Sequence, residues 1–399
     1  MIKIVEGEIL SDFSVQARQV VRGLRSSLIR EVADSAMGQH DVLPFWFGES
    51  DQPTPKFIRE AGVNSILSGE TFYSQNLGRP YLRNAIAEYL SSLHGTHIDY
   101  KRVVITGSGV SALMINAQLL IDPGDRVVAV TPLWPNLIEI IKVLGGNVTT
   151  VPLEVIENSW ELDVDKLLFA LGPTTKVLVI NSPNNPTGWT IRPEQLQTVL
   201  EHCRKHGIWI LCDDVYERLV YAPEMRSAPS FLAAYQDGDR IISVNSFSKA
   251  WSMTGWRIGW TVVPEVLTPM LEKLIEYNTS CVPEPTQRAA FTAVTQGEAL
   301  VMENRKKLAM TRSLLVEGLS ALPGVTVPEA GGAMYAFFKI SGREDSTAFA
   351  KQLVTQYGLG LAPGEAFGKD GLGWLRWCHA VEPSKLLLGL QRIREALIR

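Results

Sequence analysis

Short apolar runs rich in β-branched residues recur along the chain, each followed by a polar turn and then by a stretch whose apolar positions have helical spacing. The runs are RVVIT (102–106), RVVAV (126–130), KVLVI (176–180), IWILC (208–212), RIISV (240–244) and RIGWTVV (257–263). Most are apolar throughout rather than alternating, as strands covered on both faces must be. Strands of that kind in alternation with helices predict an α/β domain on a mainly parallel sheet. Between two of them, PEQLQTVLEHCRKH (193–206) opens on proline and stops before Gly207, the asymmetry of a helix start and a helix end.

After about residue 290 the pattern changes to long helical stretches, an antiparallel-looking segment GGAMYAFFKI (331–340) and a last helix near 384–398, which together predict a smaller α+β domain. Residues 27–37 have helical spacing, with no strand run anywhere before residue 45. The expected organisation is an N-terminal segment (1–45) packed on the small domain, a large domain (46–290) and a small C-terminal domain (291–399).

Composition narrows the function classes. The 399 residues are 46% hydrophobic and 20% charged, with a net charge of −4. That is an ordinary globular balance, and it lacks the basic footprint of a protein that binds nucleic acid or an anionic membrane. Glu6, Glu8 and Asp12 interrupt the start of the chain where a signal peptide needs an apolar run, and no later stretch has transmembrane length, so a cytosolic setting is expected. The four cysteines, Cys203, Cys212, Cys281 and Cys378, stand far apart and read as buried thiols.

Candidate chemistry sits where strands end. After RVVIT comes Thr106-Gly107-Ser108-Gly109-Val110-Ser111-Ala112, a small-residue turn that opens a helix and offers unpaired N–H groups to an anion. The same residues spell GxGxxA, but a dinucleotide site needs an acidic residue at the end of the next strand, and that strand ends in Thr131-Pro132. After KVLVI comes Asn181-Ser182-Pro183-Asn184-Asn185-Pro186-Thr187-Gly188, a loop of turn formers at the carboxyl end of a strand, where open α/β sheets bind ligands. Asp213, Asp214 and Tyr216 follow IWILC; a magnesium–nucleotide reading fails for want of GxxxxGK[ST]. Ser246, Ser248 and Lys249 follow RIISV, with Arg257 eight residues on, a phosphate-ready setting whose cations should lower the proton affinity of Lys249. His202 and His206 have zinc-pair spacing, but Cys203 stands where hydrolytic zinc motifs carry Glu, and a polar helix end explains them. Trp134, just past a strand end, is the one tryptophan singled out as a ligand platform.

In this order the motifs resemble the class I/II aminotransferases, enzymes of the aspartate aminotransferase fold. The resemblance runs from about Phe47 to Arg376 through FGESDQPTP (47–55), FYSQNLG (72–78), TGSGVSAL (106–113), TPLWPN (131–136), NNPTG (184–188), DDVY (213–216), SFSKAWSMTGWRIG (246–259), APGEAFG (362–368) and LRW (375–377). It implies fold type I, with a mainly parallel seven-stranded sheet in the large domain, and pyridoxal 5′-phosphate as cofactor. It implies transfer of an amino group from an L-amino acid to a 2-oxo acid by a ping-pong aldimine/ketimine route.

By the same resemblance Lys249 holds the cofactor and shuttles the proton, and Asp213 pairs with the pyridine nitrogen. Asn185 and Tyr216 bond the ring oxygen, and Trp134 stacks on the ring. Ser108, Gly109, Val110, Ser246, Ser248 and Arg257 cradle the phosphate, and Tyr73 of a neighbouring chain completes each site of a homodimer. Arg376 grips the substrate α-carboxylate, with Gly48, Trp134 and Asn185 also contacting the substrate. Val110 replaces the lysine that several aspartate-specific members carry; Arg22 and Arg25 are the candidates for a second cation. Trp46, Met334 and Tyr335, as pocket walls, would favour an aromatic or large apolar side chain over aspartate. Rival readings are a β-lyase or decarboxylase on the same scaffold and a non-catalytic ligand-binding regulator.

Overall fold

The computed structural model describes residues 17–398, so the acidic residues at positions 6, 8 and 12 lie outside the described part. Within it the chain runs through α1 (Leu28–Asp34), α2 (Lys56–Leu67), α3 (Pro80–His94), β1 (Val103–Thr106), α4 (Gly109–Leu120), β2 (Arg126–Thr131), α5 (Pro135–Val143) and β3 (Asn147–Pro152). It continues through β4 (Thr175–Asn181), α6 (Pro193–His206), β5 (Trp209–Asp213), β6 (Ile241–Ser246), the one-turn α7 (Phe247–Ala250), β7 (Gly259–Val262), α8 (Thr268–Glu276) and α9 (Glu284–Gln296). The last part comprises α10 (Glu298–Ser320), β8 (Val325–Thr326), β9 (Tyr335–Ile340), α11 (Ser346–Tyr357), β10 (Ala362–Pro363), β11 (Trp374–Cys378) and α12 (Pro383–Ile398), with short connecting pieces between these elements.

Seven strands form the large sheet in the order β1-β7-β6-β5-β4-β2-β3. Six of them, β1, β6, β5, β4, β2 and β3, run in one direction, whereas β7 is antiparallel to both its neighbours, Gly259 lying opposite Thr106 on one side and Ser246 on the other. Side chains alternate between two buried faces. Val104, Ala129, Val179, Leu211 and Val244 join the core under α4, α5 and α8, while Val103, Val128, Leu178, Ile210 and Ile241 join the core on the other side. Continuous apolar runs are thus what a doubly covered sheet demands.

The six runs read from the sequence all lie on this sheet, but β3 carries no such run. It is an edge strand with Thr149 and Thr150 only half-buried, so one side of its ladder and much of its surface face water. The antiparallel direction of β7 also has no trace in an apolar run, because hydrophobicity records burial and not strand direction.

A second, four-stranded antiparallel sheet has the order β8-β9-β11-β10. Helix α10 packs on β8 and β9, α11 packs on β10, and α1 lies against both β10 and α11. Residue 290, the expected boundary, falls inside α9, and that helix packs on α2 and α3. The change in pattern along the chain marks the end of the strands, whereas the packing continues to the end of the helix.

Helix α1 is capped by Ser27, whose Oγ accepts from the Arg30 N–H at 3.4 Å. Helix α6 starts at Pro193 and ends on Gly207 in the left-handed conformation, φ 65°, as its sequence requires. His202 Nε2 lies 2.9 Å from the Leu171 carbonyl, and its ring centre is 4.5 Å from that of His206. All four cysteines are free thiols, three of them buried. Among the described residues no helix is long and apolar enough to cross a membrane.

Candidate active site

Four strands deliver polar residues to one end of the large sheet, where a cavity of about 660 Å³ opens. Thr106 ends β1, and the turn after it starts α4; Ser108 caps that helix by accepting from Ser111 N–H at 3.0 Å. The backbone here is packed to its limit. A Cβ on Gly259 would lie 2.5 Å from the Asn245 carbonyl and 2.7 Å from the Gly109 nitrogen, so only glycine lets β7 approach the start of α4. Ser246 ends β6 and caps α7, its Oγ 2.9 Å from Ser248 Oγ. Arg257 takes the left-handed conformation, φ 52°, and donates to the Thr254 carbonyl at 2.6 Å while lining the cavity. A helix start, two hydroxyls and a guanidinium form a cup for a phosphate dianion.

Asp213 closes β5 and is 2% exposed; among the described residues its carboxylate accepts only from Val215 N–H, at 3.4 Å. Burial pushes its pKa up to about 7, opposed by Val215 N–H and by Lys249. An under-bonded buried carboxylate facing a cavity is suited to a buried N–H⁺ group, which is what a protonated pyridine ring offers. Asn181, at the end of β4, donates from Nδ2 to the Asp213 carbonyl at 2.8 Å and accepts from Asn185 N–H at 2.7 Å. It therefore fixes two site residues at once. It opens the loop after KVLVI, where a polar residue ending an apolar strand is the signal in the sequence.

Lys249 donates to the Gly48 carbonyl at 2.5 Å. Burial pulls its pKa down to about 8, and of the two arginines Arg376, not Arg257, adds to the effect. The sequence expectation of a lowered lysine is met by a different cause, burial of Lys249 itself, since Arg257 is exposed and screened by water. Gly48 must be glycine, because a Cβ would fall inside the Tyr335 hydroxyl.

Arg376 lies on β11, 3% exposed, with Phe337 of β9 and Ala362 of β10 as its strand partners. It donates to Asn185 Oδ1 at 2.8 Å and to the Trp46 carbonyl at 2.5 Å, and its guanidinium lies over the rings of Tyr335 and Phe367. Its Nε has no partner, and among the described residues no carboxylate pairs with it. A buried, uncompensated guanidinium is a site for an anionic ligand. Because Asn185 Oδ1 is committed to Arg376, its Nδ2 is left for the cavity. Tyr216 and Tyr335 share a hydrogen bond of 2.6 Å, and burial pushes both phenols up, Tyr335 to about 12.

Gly48, Gly109, Val110, Trp134, Asn185, Asp213, Tyr216, Ser246, Ser248, Lys249, Arg257 and Arg376 all line this one cavity. Ser108 stands behind it as the cap of α4, and Tyr73 is elsewhere, 88% exposed on the surface. Arg22 and Arg25 are not on the wall. The additional cation there is Arg30 of α1, 5.8 Å from the centre of the Phe47 ring, which also lines the cavity. Of the three residues expected to shape the side-chain pocket only Tyr335 does so. The Trp46 ring packs on Gly360, and Met334 lies beyond Lys249 with His379.

Fold and site together define an enzyme of fold type I. The chain belongs to the aminotransferase class I and II family, whose model matches residues 40–393. It is 33% identical to an aspartate aminotransferase of Pyrococcus horikoshii, over 94% of this chain and 95% of that protein. It is 34% identical to a probable aspartate/prephenate aminotransferase of Aquifex aeolicus, over 90% and 91%. A solved structure of a Thermotoga maritima aspartate aminotransferase superposes with a TM-score of 0.87 at 30% identity, covering 96% of this chain and all of that one. The protein is therefore an aminotransferase.

Proposed function

We propose that the chain uses pyridoxal 5′-phosphate to move an amino group between an L-amino acid and a 2-oxo acid, each molecule passing through the same cavity in turn. The observation that carries this reading is the uncompensated Arg376 guanidinium on the wall that also holds Lys249 and Asp213. The cofactor, when bound, supplies a ring that withdraws the electron pair left at the substrate Cα. Ser246, Ser248, Arg257 and the start of α4 hold its phosphate. Asp213 keeps a proton on the ring nitrogen, Asn185 Nδ2 and the Tyr216 hydroxyl serve the ring oxygen, and Trp134 covers one face. Arg376 grips the α-carboxylate, which disfavours decarboxylation. Lys249, with a proton affinity near neutrality, takes the Cα proton on Nζ and returns it.

For the side chain, the presence of Arg30 on the wall favours a second carboxylate over the aromatic or large apolar group expected from the sequence. Relatives named for aspartate support the same reading. We take the active form to be a homodimer in which Tyr73 of one chain completes the phosphate cup of the other.

Incubating cofactor-loaded protein with single amino acids tests the reaction class. Conversion of the bound cofactor to its amine form with release of one equivalent of the matching 2-oxo acid is expected. Release of pyruvate and ammonia would instead identify a β-lyase, and no reaction with any amino acid would leave a ligand-binding regulator.

A further inference from the structure

Behind the phosphate cup lies a buried polar array centred on His94, Glu217 and Asn245, residues that no motif includes. His94 is the last residue of α3, which ends there because Gly95 turns left-handed, φ 66°. Its Nε2 is 3.2 Å from Glu217 Oε2, with side-chain exposures of 2% and 4%. The other carboxylate oxygen of Glu217 accepts from Asn245 Nδ2 at 2.6 Å. Asn245 Oδ1 in turn accepts from the Ser246 N–H at 2.7 Å. Burial opposes a charge on His94, but Glu217 and Asp214 outweigh it and hold the imidazole above its ordinary range. Burial, with Glu217 adding to it, pushes Asp214 up to about 8, and Ser243 donates to it at 2.5 Å.

The array thus sets a buried imidazole against a carboxylate that is tied to the residue before Ser246. The position of Asn245 matters doubly, because its carbonyl also meets the would-be side chains of Gly109 and Gly259, the two glycines at the cup. A buried pair of this kind costs desolvation and is a poor source of net stability. Its geometric effect is to fix one rotamer of Asn245 and, through the bond from Ser246 N–H, the backbone that carries the Ser246 hydroxyl, whose own partners are Ser248 and the Ile258 carbonyl.

We infer that Glu217, held by His94, is a positioning residue that sets the affinity of the cup for phosphate through Asn245 and Ser246. This rests on the proposed cofactor reading, since it concerns how this chain holds that phosphate.

The test is equilibrium binding to cofactor-free protein, followed by calorimetry with inorganic phosphate and by absorbance titration with pyridoxal phosphate and with phosphate-free pyridoxal. E217A should weaken inorganic phosphate and pyridoxal phosphate about tenfold or more while changing pyridoxal less than threefold. E217Q, whose amide oxygen still accepts from Asn245, should recover to within about threefold of wild type. N245A leaves the His94–Glu217 contact in place and should reproduce E217A, which keeps the test open if E217A fails to fold. Equal losses for pyridoxal and pyridoxal phosphate, or no loss for either, would overturn the inference. Wild-type protein that binds no pyridoxal phosphate would instead sink the cofactor reading itself.

Discussion

Lys249, Asp213 and Arg376 are ordinary charged residues whose properties come from the same condition, removal from water around a shared cavity. For Asp213 the sign of the pH effect follows directly. Its pKa in the fold, about 7, lies above the unfolded value of 3.8, so the folded chain binds the proton more tightly. Stability from this group is fully present below pH 3.8 and lost as pH rises through 7. Cofactor-free wild type should therefore lose stability relative to D213N between pH 4 and pH 7, by roughly 4 kcal/mol. Chemical denaturation at a series of pH values measures it, and parallel curves for the two proteins would contradict the assignment. Lys249 acts in the opposite sense: with a folded pKa of about 8 against 10.5, its burial penalty is full below pH 8 and relieved toward 10.5. Asp213 and Lys249 were legible in the sequence because DDVY and SFSK are contiguous. Glu217 and His94 were not, because they are 123 positions apart and meet only through the fold.

At the scale of elements, a seven-residue helix determines what the cavity meets at its mouth. Helix α1 places Ile29 in the core and turns Arg30 outward beside Phe47, so one turn of helix couples small-sheet packing to the cavity wall. R30Q should lower kcat/KM for aspartate and 2-oxoglutarate by about a hundredfold, the scale of losing one charge-assisted contact. For phenylalanine the change should stay under threefold, with cofactor affinity unaltered. Steady-state kinetics on both donor classes checks this. An equal loss on both would return the pocket to the aromatic preference that Tyr335 alone still supports. The helix was readable from the periodicity of residues 27–37. Which of its neighbouring arginines faces the cavity was not, since Arg22, Arg25 and Arg30 differ only in how the segment is oriented against the rest.

Among the described residues, several large apolar side chains besides Tyr73 stand exposed. Phe72 is 84% exposed, Leu67 78% and Tyr277 90%. In the proposed homodimer a second copy would cover these side chains and carry Tyr73 toward a neighbouring site. Light scattering should give twice 44.1 kDa. Co-expression of K249A with Y73A should produce activity above the sum of the two separate variants, because a mixed dimer holds one site with both residues intact. No gain in the mixed preparation, with dimers present, would rule out sharing.

Local order along the chain was enough to determine the strands with doubly buried faces, the capped helices and the order of the motifs. Those depend on periodicity, turn chemistry and contiguous residues, all of which are properties of neighbours in sequence. The antiparallel course of β7, the polar edge strand β3 and the extension of packing through α9 were decided by tertiary structure. So were the choice of Arg30 over Arg22 and Arg25, and the joining of His94 to Ser246 through Glu217 and Asn245. Each of these depends on which distant segments exclude water from one another, and the amount of water excluded at a residue is a property of the packed chain.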